Sequence, residues 1–249
     1  MFRESGWDPE NQEGLFESDK RSNFSEASIR KDFIKKVYTL LSIQLIFTSC
    51  LTSLFVLNDN VKQFGQSEKG RGLLMLAMIV SLITLIAPLC CCINAYRTFP
   101  QNYVILSFFT LSMSYMVAIT ASTYSPDTVL YAFIITSIVT IALTIYATQT
   151  KYDFTASGGI LLSFLVGLIV LGFLNIFIQN KFVETLIAAA GAIIFSMYIV
   201  YDTQLIVGGK HKKYQFDIDD YVFATITLYL DIINLFLYIL ELLDKRRSN

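Results

Sequence analysis

The sequence predicts an all-α polytopic membrane protein: a bundle of seven transmembrane helices preceded by a disordered cytoplasmic tail. Of its 249 residues, 54% are hydrophobic and only 16% are charged, whereas a soluble domain carries about a quarter charged residues. The mean hydropathy is +0.55. The charges concentrate in the first 36 residues and in short segments, which leaves long uncharged stretches between them. A net charge of −1 provides no basic field for nucleic acid.

Seven stretches are long enough to cross a bilayer, because a hydrocarbon core of about 30 Å needs roughly 20 apolar residues in a helix. Backbone groups in lipid must be satisfied within the segment, and no period-two alternation indicates a barrel. The predicted spans are about 37–57, 73–93, 103–123, 129–150, 158–178, 182–207 and 221–243.

The chain before the first span has a different composition. Residues 1–32 are polar and rich in Glu, Ser and Asn, which predicts a disordered tail. Residues 33–249 form the predicted membrane domain. No apolar segment with a cleavage site opens the chain, so the first span is expected to act as an uncleaved insertion signal.

The distribution of Lys and Arg predicts the orientation. From residue 20 onward, seven crossings place eleven of these residues on the side of the N-terminus and seven on the opposite side. The positive-inside rule therefore favours a cytoplasmic N-terminus. The basic C-terminus fits the far side poorly, and a re-entrant last span would return it to the cytoplasm, so its side stays open.

Two acidic residues lie deep within the predicted spans. The first five spans contain no Asp, Glu, Lys or Arg, while the last two contain Asp202 and Asp231. At 1.5 Å per residue, Asp202 lies roughly 8 Å from one end of its span and Asp231 roughly 15 Å from the same end of the next. An ionisable group within a membrane marks a functional site by default, although a structural role through capping or Ser, Thr and Asn partners is the alternative.

If the two acids meet, their chemistry is constrained. Two carboxylates in a dehydrated site cannot both ionise at low cost, so they would share a proton. Such a pair responds to pH without a histidine. It could also bind a hard cation such as Ca²⁺ through oxygen ligands, or latch two helices together when protonated.

Few other residues of the sequence suggest a chemical role. Cys90, Cys91 and Cys92 lie at the end of a span and are candidates for palmitoylation, with a small-residue packing patch as the alternative. Tyr201–Asp202 matches half of an intramembrane aspartyl protease pattern, but Asp231 lacks the Gly-x-Gly that precedes the second acid in those enzymes. We therefore expect no enzyme activity and no cofactor.

Five segments in order carry a family resemblance that covers about residues 30–243. Together they resemble the Bax-inhibitor (lifeguard) family of multi-pass membrane proteins. The segments are Lys31–Tyr38 (KDFIKKVY), Arg97–Asn102 (RTFPQN), Gln149–Thr155 (QTKYDFT), Tyr201–Ile206 (YDTQLI) and Leu228–Asn234 (LYLDIIN).

The resemblance implies seven helices with the last one central, a pH-sensitive Ca²⁺ leak across an internal or plasma membrane, and restraint of cell death. It implies that Asp202 and Asp231 form a di-aspartyl pH sensor and gate, with Ca²⁺ as the transported ion. The family's best-described leak also uses an arginine on an early span, for which Arg71 is the only candidate here. The alternative is a non-conducting scaffold that binds other membrane proteins of cell-death or stress signalling.

Overall fold

The computed structural model of the chain describes residues 9–90, 93–209 and 212–247. Within these residues it contains eight α-helices and three short 3-10 helices, at Ile93–Tyr96, Thr155–Ser157 and Ile218–Asp220, and no strand. The α-helices are α1 (Pro9–Leu57), α2 (Asp59–Gln66), α3 (Glu68–Cys90), α4 (Gln101–Ser122), α5 (Pro126–Gln149), α6 (Gly158–Ile178), α7 (Lys181–Val207) and α8 (Tyr221–Arg247).

Seven helical segments of the described chain are long and apolar enough to cross a membrane. They confirm the predicted all-α fold of seven spans, and most of their ends lie close to the predicted ones. The segments are Ala27–Leu57, Glu68–Ile86, Gln101–Ser122, Pro126–Gln149, Thr155–Ile178, Lys181–Val207 and Ile218–Asp244.

The helix of the first span begins earlier than the predicted span. The predicted start at Val37 and the predicted tail boundary at residue 32 both fall inside α1 (Pro9–Leu57), which runs through the charged residues that precede the apolar stretch. Phe33 is only 1% exposed, and Arg30 is partly buried against the rest of the bundle. The hydropathy of the sequence could not show where α1 begins, because the few side chains before Val37 that pack against the bundle are flanked by charged residues.

The short helix α2, between the first two spans, was not predicted. The side chain of Asn58 caps it by accepting hydrogen bonds from the backbone N–H groups of Asn60 (3.0 Å) and Val61 (3.3 Å). Its Gly65 lies against the ring of Phe55, and a Cβ atom added there would lie 3.1 Å from that ring, so a larger residue would require the ring to shift. The connection is therefore an ordered helix that packs on the end of α1.

Helix α8 lies at the centre of the bundle. It packs against α1, α4, α5 and α7, while α3 packs on the outside of α4 and α6 on the outside of α7. Inside the protein, 67% of the apolar window of α8 is buried, compared with 11% for α6. The peripheral helices instead expose large apolar side chains, as expected for helices that face lipid.

The last helix makes a full crossing. We call the end of the bundle where α1 enters the membrane the N-terminal end; the connections after α3, α5 and α7 lie there. At the opposite end, Tyr124 lies between α4 and α5. Burial raises the pKa of Tyr124, and the nearby charges of Glu241, Asp244 and Glu184 raise it further. The final turns of α8 therefore reach the opposite end, which excludes the re-entrant alternative.

Helices α7 and α8 approach closely at a glycine. A Cβ atom added at Gly191 would lie 2.6–2.7 Å from three ring atoms of Tyr238. That ring also stacks on Phe195, with centroids 5.8 Å apart. The run of small residues from Ala188 to Gly191 thus provides the close contact that small residues commonly provide between membrane helices.

We expect Gly191→Ala to lower the free energy of unfolding by about 1–3 kcal/mol, because the Tyr238 ring must move from a packed position. Unfolding of the purified protein in detergent, by heat or by sodium dodecyl sulfate, measures this change. Gly167→Ala on α6 is the matched control, since nothing lies within 4 Å of a Cβ atom there. Equal stability of the two variants would contradict the proposed contact.

Candidate functional site

The two deep acids lie against each other between α7 and α8. The side chain of Asp202 is 5% exposed and that of Asp231 is 6% exposed. Their carboxyl groups are within hydrogen-bonding reach of one another, and the hydroxyl of Thr227 contacts Asp202. The antiparallel course of consecutive helices places both acids at similar depth, and the structure brings them together.

One oxygen of the pair lacks a donor. Oδ2 of Asp231 is buried and receives no hydrogen bond from any group that the structure describes. Two ionised carboxylates could not remedy this, because neither carries a hydrogen to donate. A single proton on one of the two carboxyl groups would supply the missing donor.

Arg71 is not part of this site. It lies exposed in the first turns of α3. That helix packs mainly on α4, whereas the acids belong to α7 and α8. Among the described residues, no arginine or lysine forms a salt bridge with either acid. The structure therefore does not bring Arg71, the candidate for the family's early-span arginine, to the pair.

A glutamine close to the pair ties α7 to the α5–α6 connection. Gln204 is fully buried, two residues after Asp202. Its Oε1 accepts a hydrogen bond from the backbone N–H of Phe154 (2.8 Å), and its Nε2 donates to the carbonyl of Tyr152 (2.9 Å). One side chain thus satisfies several polar groups of a connection at the membrane boundary.

Arg30 of α1 holds the end of α7. Its guanidinium donates to the carbonyls of Leu205 (Nη2, 2.7 Å), Val207 (Nε, 3.2 Å) and Phe216 (Nη1, 2.6 Å). The first two belong to the last turn of α7, where carbonyls lack intrahelical partners. Gly208 adopts a φ of 62°, and any side chain there would collide with this guanidinium.

Asp153 joins the connections at 150–157 and 208–220. Its Oδ1 accepts from the hydroxyl of Thr155 (2.6 Å), and its Oδ2 accepts from the backbone N–H of Lys213 (2.8 Å). The hydrogen bond from the Thr155 hydroxyl is the main cause that lowers the pKa of Asp153, and the backbone N–H groups of Lys213 and Thr155 lower it further.

A second arginine completes the same surface. Arg97 follows α3 and forms salt bridges with Asp220 (2.6 Å) and Asp217 (3.0 Å), whose hydrogen bonds and charges raise the pKa of Arg97. We use the name loop cap for residues 150–157 and 212–220 together with Arg30 and Arg97. The loop cap covers the N-terminal end of the bundle, the end nearer to Asp202.

The remaining predicted site residues stay apart from the pair. Cys90 is exposed at the end of α3, and Cys91 and Cys92 lie outside the described residues. Over the part of the chain that the structure describes, no three His, Cys, Asp or Glu side chains form a group that could hold a metal ion. Two carboxylates fall well short of the six to eight oxygen ligands typical of a tight Ca²⁺ site.

Comparison with known proteins identifies the family. The family model for the inhibitor of apoptosis-promoting Bax1 matches residues 30–248. The chain belongs to the Bax-inhibitor (lifeguard) family. Protein lifeguard 3 of Homo sapiens is 33% identical over 227 residues, which cover 90% of this chain and 71% of the relative. The Golgi anti-apoptotic protein of vaccinia virus (strain Lister) is 38% identical over 216 residues, covering 87% and 86%.

The family assignment confirms the resemblance stated from the five sequence segments. This Bax-inhibitor protein is therefore a multi-pass membrane protein of an anti-apoptotic family, a family that is not known for enzymes. Four of the five segments supply the contacts described above: Arg97, Asp153 and Asp231 each lie in one of them, and Asp202 and Gln204 share another.

Sequence reasoning found the acids but missed Arg30 and the role of Gln204. The acids are conspicuous because they are charged residues in apolar spans. Arg30 lies among other cations in a polar segment, and its partners are backbone carbonyls about 180 residues away, which leave no trace in composition. A signal was present for Gln204, since a neutral amide next to a deep acid also needs partners.

We expect Arg30→Lys in this Bax-inhibitor protein to weaken the end of α7 by about 1–2 kcal/mol. An ammonium group cannot reproduce three hydrogen bonds in the fixed geometry of a guanidinium. Hydrogen–deuterium exchange in nanodiscs should show lower protection at residues 205–209 and 212–216. Lys31→Gln, one exposed residue further along the same helix, is the control. Unchanged amide protection in Arg30→Lys would contradict the role of Arg30 in holding the end of α7.

We expect Asp153→Asn to lower the protection of the Thr155 and Lys213 amides at pH 7. Because folding lowers the pKa of Asp153, its ionised form stabilises the loop cap above the ordinary Asp pKa of about 3.9. That stabilisation is lost only as the pH falls through the lowered pKa. In the wild type, protection should therefore stay constant between pH 5 and 8. Asp219→Asn, an exposed acid nearby, serves as the control.

Proposed function

We propose that this Bax-inhibitor protein is a pH-sensitive Ca²⁺ leak channel whose gate is the pair Asp202 and Asp231. The leak would contribute to Ca²⁺ homeostasis and, through it, to the restraint of programmed cell death. The observation that carries the proposal is the contact of two buried carboxyl groups with a donor missing at Oδ2 of Asp231. Both acids lie within spans, where ionisable groups mark ion pathways and proton relays.

The gate follows from the proton count. With one shared proton, the pair makes a hydrogen bond that holds α7 against α8, and the closed bundle persists. When that proton leaves, two negative charges face each other in a site with little water, so the state with separated helices gains population. Ca²⁺ entry between the two carboxylates would replace the shared proton and would need more space than a direct hydrogen bond, since Ca²⁺–oxygen distances are about 2.3–2.6 Å.

The loop cap belongs to the same gate in this proposal. Gln204 and the last turn of α7 are tied to the connections at 150–157 and 212–220, one turn or less from Asp202. A displacement of α7 would therefore strain or break these hydrogen bonds. A channel with a carboxylate pair inside and a tied cap outside has two barriers in series, as expected for a slow leak.

The distribution of basic residues supports a cytoplasmic N-terminus, so the loop cap would face the cytoplasm. A relative named Golgi anti-apoptotic protein favours an endomembrane, the endoplasmic reticulum or the Golgi, and the plasma membrane is the alternative. A partner among the membrane proteins of cell-death or stress signalling is part of the alternative, in which the protein acts as a non-conducting scaffold.

Ca²⁺ flux into liposomes that carry the purified full chain tests the proposal over pH 5.5–8. We expect flux to rise with pH with the slope of about one proton. Asp202→Asn and Asp231→Asn should each abolish this pH dependence, because neither variant retains two titrating groups. Asp219→Asn controls for loss of a carboxylate at the same end of the bundle. Absence of flux above empty liposomes, with folded protein, would favour the scaffold.

A further inference from the structure

An apolar groove runs along the outside of the bundle where α5, α7 and α8 meet. It encloses about 440 Å³, a size typical of ligand-binding cavities. The floor is formed by Ala192 and Ser196, two small residues one turn apart on α7, between Val139 and Leu143 of α5 and Leu235 of α8. The groove exists because α7 carries small side chains where its neighbours carry large ones.

The groove opens towards the lipid. Ile193 and Met197 line it and are 63% and 40% exposed, although both lie within a span. Apart from the hydroxyl of Ser196 and that of Tyr146, the lining side chains are hydrocarbon or thioether. In the hydrocarbon core of a bilayer, the apolar group that can fill such a groove is the acyl chain of a lipid.

One end of the groove meets the loop cap. Tyr146 and Phe154 line this end, with ring centroids 6.2 Å apart and the ring planes inclined by 62°. Phe154 lies within the α5–α6 connection, so the groove reaches from mid-membrane to the level where lipid headgroups lie.

Basic residues surround this end. Lys151 is exposed in the same connection, and Lys212 donates from Nζ to the carbonyl of Tyr152 (2.7 Å). Lys213 is exposed beside it, and its backbone N–H binds Asp153. The carboxylate of Asp153 is occupied by Thr155 and this N–H group. Residues 151–153 and 212–213 thus contribute three cations and one internally bonded anion to this end of the groove.

We propose that the groove is a binding site for an anionic phospholipid, with one acyl chain between α5 and α7 and the headgroup on Lys151 and Lys213. The apolar lining of the groove is complementary to the acyl chain of such a lipid, and the basic residues at its end are complementary to the anionic headgroup. Lys and Arg side chains near the membrane surface attract anionic headgroups, so the headgroup distinguishes this lipid from the zwitterionic majority. Neither Asp202 nor Asp231 lines the groove, so the lipid site is separate from the acid pair and can be tested without a measurement of Ca²⁺ flux.

Photo-labelling of the full chain in phosphatidylcholine vesicles tests the proposal. The probe is phosphatidylserine with a diazirine in one acyl chain, present at a few per cent, compared with phosphatidylcholine that carries the same group. We expect phosphatidylserine to label the segments 139–146 and 192–200 about tenfold more than the phosphatidylcholine probe does. Lys151→Gln with Lys213→Gln should reduce that preference to about one, at unchanged labelling by phosphatidylcholine. Lys181→Gln, at the opposite end of α7, should retain it.

A second substitution tests the groove itself. Ser196→Phe fills the floor and should remove labelling of both segments by either probe, whereas Leu162→Phe, at an exposed position on α6, should not. Equal labelling by the two probes in the wild type would overturn the proposal, as would a preference that survives the double lysine substitution. If Ser196→Phe does not fold, the lysine variants decide, because their side chains lie at the surface.

Discussion

A carboxyl group in the middle of a membrane helix has no water to solvate it, and this constraint fixes the position of α8. Asp231 can only be accommodated where another polar group meets it within the protein, and Asp202 on α7 is that group. The contact sets the register of α7 and α8. With α8 thereby withdrawn from lipid, α1, α4 and α5 complete its enclosure, and α3 and α6 form the outer layer.

The polar connections at the N-terminal end obey the same constraint at the membrane boundary. The last carbonyls of α7 find their donor in Arg30, and Gln204 satisfies the backbone at Tyr152 and Phe154. These bonds are made to backbone atoms of other segments, so they connect α1, α5 and α6 to α7. The helix that carries Asp202 is thus held at its end by several neighbours, and at Asp202, five residues earlier, by α8.

Much of this fold could be predicted because the bilayer imposes simple requirements on every segment that crosses it. Length and apolar composition suffice to find spans, and a charge within a span is conspicuous, which is why Asp202 and Asp231 were found directly. The start of α1 and the helix α2 were missed, since polar segments near the interface carry no such composition signal. The contacts of Arg30 and Gln204 depend on carbonyls brought near by folding. Arg71 was a candidate only through the family resemblance, and the sequence alone could not show that its helix packs on α4 and away from the acids.

The central position of α8 has a consequence for biosynthesis. The ribosome releases this segment after the six other spans, yet it is the one that they surround. Until it enters, Asp202 of α7 lacks its partner Asp231, and Thr48 of α1 lacks the hydrogen bond that joins it to the hydroxyl of Tyr229. A chain in which six spans have inserted and α8 has not therefore carries a polar surface of the kind that an insertase or a quality-control protease recognises. Insertion of α8 into the bundle buries this polar surface.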